Sequence, residues 1–116
     1  MNQLAMGMSV AWLIGIVVYA RNRGKVSHRF FWITPLCMLM VGLWAIIPDL
    51  PRLAGDTALY HRMAHNPRMD IFLFHYTIDQ IESDAPWGMA LLAIQAISLQ
   101  IMQLLNLRQI EKGPRP

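Results

Sequence analysis

The stretch APWGMALLAIQAISLQIMQLL runs from Ala85 to Leu105 without an Asp, Glu, Lys or Arg. Coiled as a helix at 1.5 Å per residue it reaches about 31 Å, the thickness of the ~30 Å hydrocarbon core of a bilayer. Two more runs share the property, Leu4 to Ala20 and Phe30 to Ile47. Together they hold nearly half of the 116 residues, in a chain that is 55% hydrophobic and 15% charged. The pattern predicts an all-α integral membrane protein, a single membrane domain over residues 1–116 with three transmembrane helices at 4–20, 30–47 and 85–105. Between the second and third lies a long segment, Pro48 to Asp84, expected to be helical and extracytoplasmic. A soluble enzyme domain and a nucleic-acid binder are both excluded by this arrangement.

The net charge of +3 conceals a separation by position. Arg21, Arg23, Lys25 and Arg29 fill the first connection, 21–29, and Arg108, Lys112 and Arg115 the tail, 106–116, where Glu111 is the one acid. The middle segment is acidic: Asp49, Asp56, Asp70, Asp79, Glu82 and Asp84 outnumber Arg52, Arg62 and Arg68. Basic residues stay on the cytoplasmic side during insertion, so the expectation is a multi-pass protein of the inner (plasma) membrane, N-terminus outside and C-terminus cytoplasmic. The first apolar run is followed by RNRGK rather than a small-residue cleavage site, which argues against a cleaved signal peptide. The one cysteine, Cys37, lies inside the second run, so neither an intramolecular disulfide nor a cysteine-based zinc knuckle is expected.

Inside the spans the informative residues concern packing. Gly7, Ala11 and Gly15 repeat every four residues and form a small-residue stripe that lets a second helix approach closely. Pro35 falls near the inner end of the second run, where a first-turn position makes its missing N–H harmless. Tyr19, Trp32, Trp44 and Trp87 sit at the ends of runs as interfacial aromatics do, whereas Trp12 is mid-span and reads as a packing residue. The third run carries Gln95, Ser98, Gln100 and Gln103, polar side chains that are costly against lipid and are expected to face other helices. The pairs Gln95 with Ser98 and Gln100 with Gln103 fall on adjoining faces. Either the three helices of one chain satisfy both, or one face is left for a homo-oligomer or a larger complex.

Any chemistry belongs to the middle segment, which holds three of the four histidines and six of the seven acids. Two helical pieces are expected there, Thr57 to His65, stopped by Asn66-Pro67, and Met69 to about Ser83. In the second, Ile71, Phe74, Ile78 and Ile81 make one apolar face, and Phe72, His75, Asp79 and Glu82 another. His75 and Asp79 are four apart and so point the same way one turn apart, as do His61 and His65. That spacing suits two ligands of one metal ion, and equally a solvated charged pair. Asp49, just beyond Pro48, adds a carboxylate or caps the next helical turn. Glu82 and Asp84 read as an acidic lead-in to the third helix. Asp49, His61, His65, His75 and Asp79 together are of the donor types that hold Zn, Mn or Fe.

The order of these residues resembles a family of bacterial inner-membrane proteins, the membrane-bound metal-dependent hydrolase-like group. Its pattern is a Pro-Asp-x-Asp element after an apolar helix, a His-Arg element with a second His, and a His-x-x-x-Asp element. This chain has Pro48-Asp49, His61-Arg62 with His65, and His75-Tyr76-Thr77-Ile78-Asp79. Pro51 stands where the family has its second Asp, and the two central histidines are one residue closer. The resemblance, over about residues 47–79, implies metal-assisted hydrolysis. Asp49, His61, His65, His75 and Asp79 would hold one or two divalent ions, and Arg62 would clamp an anionic oxygen such as that of a lipid headgroup. The competing expectation is a non-catalytic accessory subunit packed against a larger membrane complex, supported by the small-residue stripe, the glutamines and the aromatic Phe72 and Phe74.

Overall fold

The computed structural model describes residues 2–23, 25–81 and 85–113. Glu82, Asp84 and Arg115, part of the charge pattern above, lie outside them. Among the described residues every regular element is helical: α1 (Asn2–Arg21), α2 (Phe30–Ala45), α3 (Leu50–Leu53), α4 (Thr57–Ala64), α5 (His75–Ile81) and α6 (Trp87–Glu111), with 3-10 turns at Ile47–Asp49 and Pro67–Ile71. Two helices, α1 and α6, are long and apolar enough to cross a membrane. A third candidate arises if α2 and the 47–53 continuation, bent by 48° against it, count as one span.

The bend has a local cause. Pro48 has no N–H to donate to the Trp44 carbonyl four residues back, and its ring crowds that carbonyl. The helix accordingly stops at Ala45, two residues short of the expected Ile47, and Ile46 leaves helical geometry at φ −96°, ψ 3°. Pro35 is the sixth residue of α2 rather than a first-turn residue, so the Phe31 carbonyl loses its usual intrahelical donor. The third helix runs the other way from expectation, continuing six residues beyond Leu105 to Glu111. Asn106 steadies that extension: its side chain accepts from the Val26 N–H (3.1 Å) and donates to the Val26 carbonyl (3.1 Å), tying α6 to the basic connection.

Packing centres on α1, which lies against both α2 and α6. With α2 it runs antiparallel through small residues. A Cβ on Gly7 would stand 2.6 Å from the Ala45 Cβ and 3.0 Å from the Gly42 Cα, and one on Gly15 would stand 2.8 Å from the Thr34 Cγ2. The expected stripe of Gly7, Ala11 and Gly15 is buried along this seam. With α6, α1 runs parallel through hydrogen bonds. Gln95, 1% exposed, donates to the Ala5 carbonyl (3.0 Å) and the Ser9 hydroxyl (2.8 Å). Trp12 donates to the Ser98 hydroxyl (2.7 Å), and Tyr19 to the Met102 carbonyl (3.1 Å). Such bonds hold where no water competes, and they account for Gln95, Ser98 and the mid-span Trp12 together. Gln100 is exposed and Gln103 half-buried, so the second glutamine pair does not turn into this bundle.

The connectivity puts Asn2 and Gln3 at the same end as residues 46–81. Asn2 donates to the Ala85 carbonyl (3.0 Å) and accepts from the Gly88 N–H (2.8 Å). The basic connection and α6's C-terminus meet at the opposite end of a molecule 66 Å long and 23 by 22 Å across.

Candidate functional site

Three devices bring the site together. The α2 break carries Asp49 in its 3-10 turn, where the carboxylate makes no capping hydrogen bond to α3. Trp44, one residue before the end of α2, donates to the Ile71 carbonyl (3.3 Å), and its ring lies 5.1 Å from that of Phe72. This pins the second 3-10 turn beside the break. Asp70 then accepts from the Thr77 N–H (2.9 Å) and hydroxyl (2.7 Å), capping α5 from seven residues upstream.

The expected single helix from Met69 to Ser83 is therefore two pieces. Leu73 and Phe74 take left-handed backbone, φ 54° and 59°, which breaks the helix and re-aims the chain. The expected apolar face does not form: Ile71 and Phe74 are 68% and 66% exposed. The re-aiming buries His75 instead. The shorter helix, by contrast, spans Thr57–Ala64 with His65 as its C-cap, and Asp56 caps its start by accepting from the Leu59 N–H (2.9 Å).

His75 is 1% exposed, and its Nδ1 is 3.1 Å from the Ala45 carbonyl, freed by the end of α2. A carbonyl only accepts, so Nδ1 carries the proton. The other ring nitrogen, Nε2, has no hydrogen-bond partner and stands 3.6 Å from both the Asp49 Oδ1 and the Asp79 Oδ2. Both carboxylates are part-buried. Gln3 donates to the Asp79 Oδ1, which leaves Gln3 Oε1 buried and unpartnered beside them. Asp49 stands past the end of α2, and burial holds its carboxyl above the ordinary range; His75 pulls it down and Asp79 pushes it up.

A cleft of about 540 Å³ opens onto this group, with Gln3, Asp49, Asp79, Arg52 and Tyr60 on its walls. The Arg52 guanidinium lies over the Tyr60 ring, 5.5 Å from its centre. Arg52 thus occupies the place expected for Arg62, which is exposed on α4 and not on the cleft wall. His61 and His65 are also exposed on α4, rings 6.2 Å apart, with His65 Nδ1 2.9 Å from the His61 carbonyl. Of the five expected ligands, Asp49, His75 and Asp79 converge and the α4 pair stands apart. Among the described residues no group of three or more His, Cys, Asp or Glu side chains is arranged so as to hold a metal ion.

Nothing in the local sequence marks Gln3 or Arg52 as a site residue. The signal for Gln3 is indirect: charge asymmetry puts the N-terminus and the middle segment on one side, but nothing within MNQLA points at Asp79. No family model, no curated protein and no solved structure matches the chain.

Proposed function

We propose that the chain crosses the inner membrane three times, with its N-terminus and the 48–84 segment outside, and binds one divalent cation between Asp49, His75 and Asp79. The observation that carries the reading is the Nε2 of His75, buried without a hydrogen-bond partner and 3.6 Å from an oxygen of each of two carboxylates. Three electron-rich atoms facing one another require positive charge among them. Separations of 3.6 Å are long for a hydrogen bond, which argues against a shared proton. They suit a cation: two ligands bonded at about 2.1 Å and spread by about 118° are about 3.6 Å apart. A nitrogen with two carboxylate oxygens is a donor set for Zn, Mn or Fe, and Gln3 Oε1 is a neutral fourth donor nearby.

The same arrangement supports metal-assisted hydrolysis of an anionic, headgroup-like substrate. A divalent cation supplies Lewis acidity and lowers the pKa of a bound water toward neutrality. Arg52, held over Tyr60, is available to an anionic oxygen in the cleft. Metal analysis of the detergent-purified protein tests the site. The expected result is about one Zn, Mn or Fe per chain, lost in His75→Ala and Asp79→Asn but retained in His61→Ala with His65→Ala. Equal metal in all variants overturns it. The subunit reading predicts instead a metal-free protein that co-purifies from native membranes with a larger partner in fixed ratio.

A further inference from the structure

The long helix α6 carries three distinct faces. One, with Gly88, Gln95, Met102 and Asn106, is buried against α1 and the basic connection. A second, with Ile94, Ile97, Ile101, Leu104 and Leu105, is exposed and wholly aliphatic, as a lipid-facing surface is. The third is neither. Met89, Ala93, Ala96, Gln100, Gln103 and Leu107 recur at alternating four- and three-residue steps, and none of them is buried in the chain. At 100° per residue they fall within about 80° of helix surface, a continuous strip.

Alternating four and three is the heptad step of a left-handed helix pair, with these residues at its a and d positions. The strip has the composition of a membrane helix interface: two alanines that permit close approach, then two amides. Gln100 lies about 20 Å from Trp87 and about 12 Å from Arg108 along the helix, inside the hydrocarbon core. There its exposed amide has no hydrogen-bond partner among the described residues. We infer that α6 pairs with α6 of a second copy of this chain along the strip Met89, Ala93, Ala96, Gln100, Gln103 and Leu107.

A second copy is the occupant that fits without further assumption. Two copies inserted with the same topology have parallel α6 helices, and a two-fold axis along the membrane normal brings equal positions face to face at equal depth. An amide is both donor and acceptor, so Gln100 opposite Gln100 is self-complementary where an aliphatic partner would leave both groups bare. None of the strip residues lines the cleft beside Asp49 and Asp79. The inference therefore does not depend on the proposed metal.

Cysteine cross-linking of the full chain in liposomes tests it, with Cys37→Ser as background. Oxidation is expected to convert Ala93→Cys and Ala96→Cys to disulfide dimers and to leave Ile101→Cys and Ile94→Cys monomeric. In a dilution-series energy-transfer assay, Gln100→Leu is expected to weaken association about 3- to 20-fold, the range for interhelical hydrogen bonds of ~0.6 to 1.7 kcal/mol. Cross-linking no greater at Ala96 than at Ile101 overturns the pairing. So does capture of Ala96→Cys in native membranes by a different protein with no homodimer.

Discussion

At the scale of single residues, the orientation of one imidazole organises the site. Nδ1 of His75 is committed to the Ala45 carbonyl, a group exposed because α2 stops there, so Nε2 is presented to Asp49 and Asp79. Without a cation, Asp49 is the member whose ionisation the fold resists. Its folded pKa is raised above its unfolded value, so the folded state binds more protons over the window between the two. Stability of the metal-free protein then falls as pH rises through that window, upward from the ordinary value of 3.8. Thermal unfolding in chelator across pH 3 to 7 is expected to show this loss, and Asp49→Asn to flatten it. A wild-type midpoint that rises with pH as steeply as that of Asp49→Asn would contradict the burial of this carboxylate. The charges at Asp49 and Asp79 are legible in the sequence by type and spacing. The anchor for His75 is not, because it is a backbone carbonyl on a different helix, and every residue type carries one.

At the scale of elements, the breaks position the chemistry. Proline marks the end of α2, and the Pro48-Asp49 step is readable for that reason. The stop signal Asn66-Pro67 and the start near Thr57 likewise match α4, whose C-cap is His65. The break between Phe72 and His75 carries no such mark. Left-handed backbone is normally supplied by Gly or Asn, whereas here Leu73 and Phe74 adopt it. Periodicity therefore reads straight through the break and joins two pieces into one helix. The conformation is held by contacts on either side of the break, Phe72 on the distant Trp44 and Asp70 on Thr77 across it. Left-handed backbone costs a side chain with a Cβ about 1 to 2 kcal/mol, part of which glycine's own flexibility returns. Phe74 is largely exposed, so Phe74→Gly forfeits little burial and is expected to stabilise the fold by about 0.5 to 1 kcal/mol in denaturant titration in micelles. Loss of stability in that variant would show that the contacts of the Phe74 ring outweigh the backbone strain.

At the scale of the whole molecule, charge and connectivity agree. Arg21, Arg23, Lys25 and Arg29 share one end with Arg108 and Lys112, and Asp49, Asp56, Asp70 and Asp79 lie at the other. The apolar runs make the helices legible, and the charge count makes their two ends legible, because both are long-range averages that a local break does not disturb. The pairing of α1 with each neighbour needs more than averages. Small residues set the α2 seam and hydrogen bonds the α6 seam, and the partner of each bonding side chain lies on another helix. Insertion with the basic end inside predicts the sidedness of reporters: a fluorescent protein fused after Lys112 should light in the cytoplasm, and alkaline phosphatase inserted at Gly55 should be active outside. Exchanging Arg21, Arg23, Lys25 and Arg29 for Gln removes most of the retaining charge and is expected to yield a mixed or inverted population, read as loss of phosphatase activity at Gly55. Unchanged sidedness would assign orientation to the tail bases Arg108 and Lys112, and the further exchange of those two should then invert it.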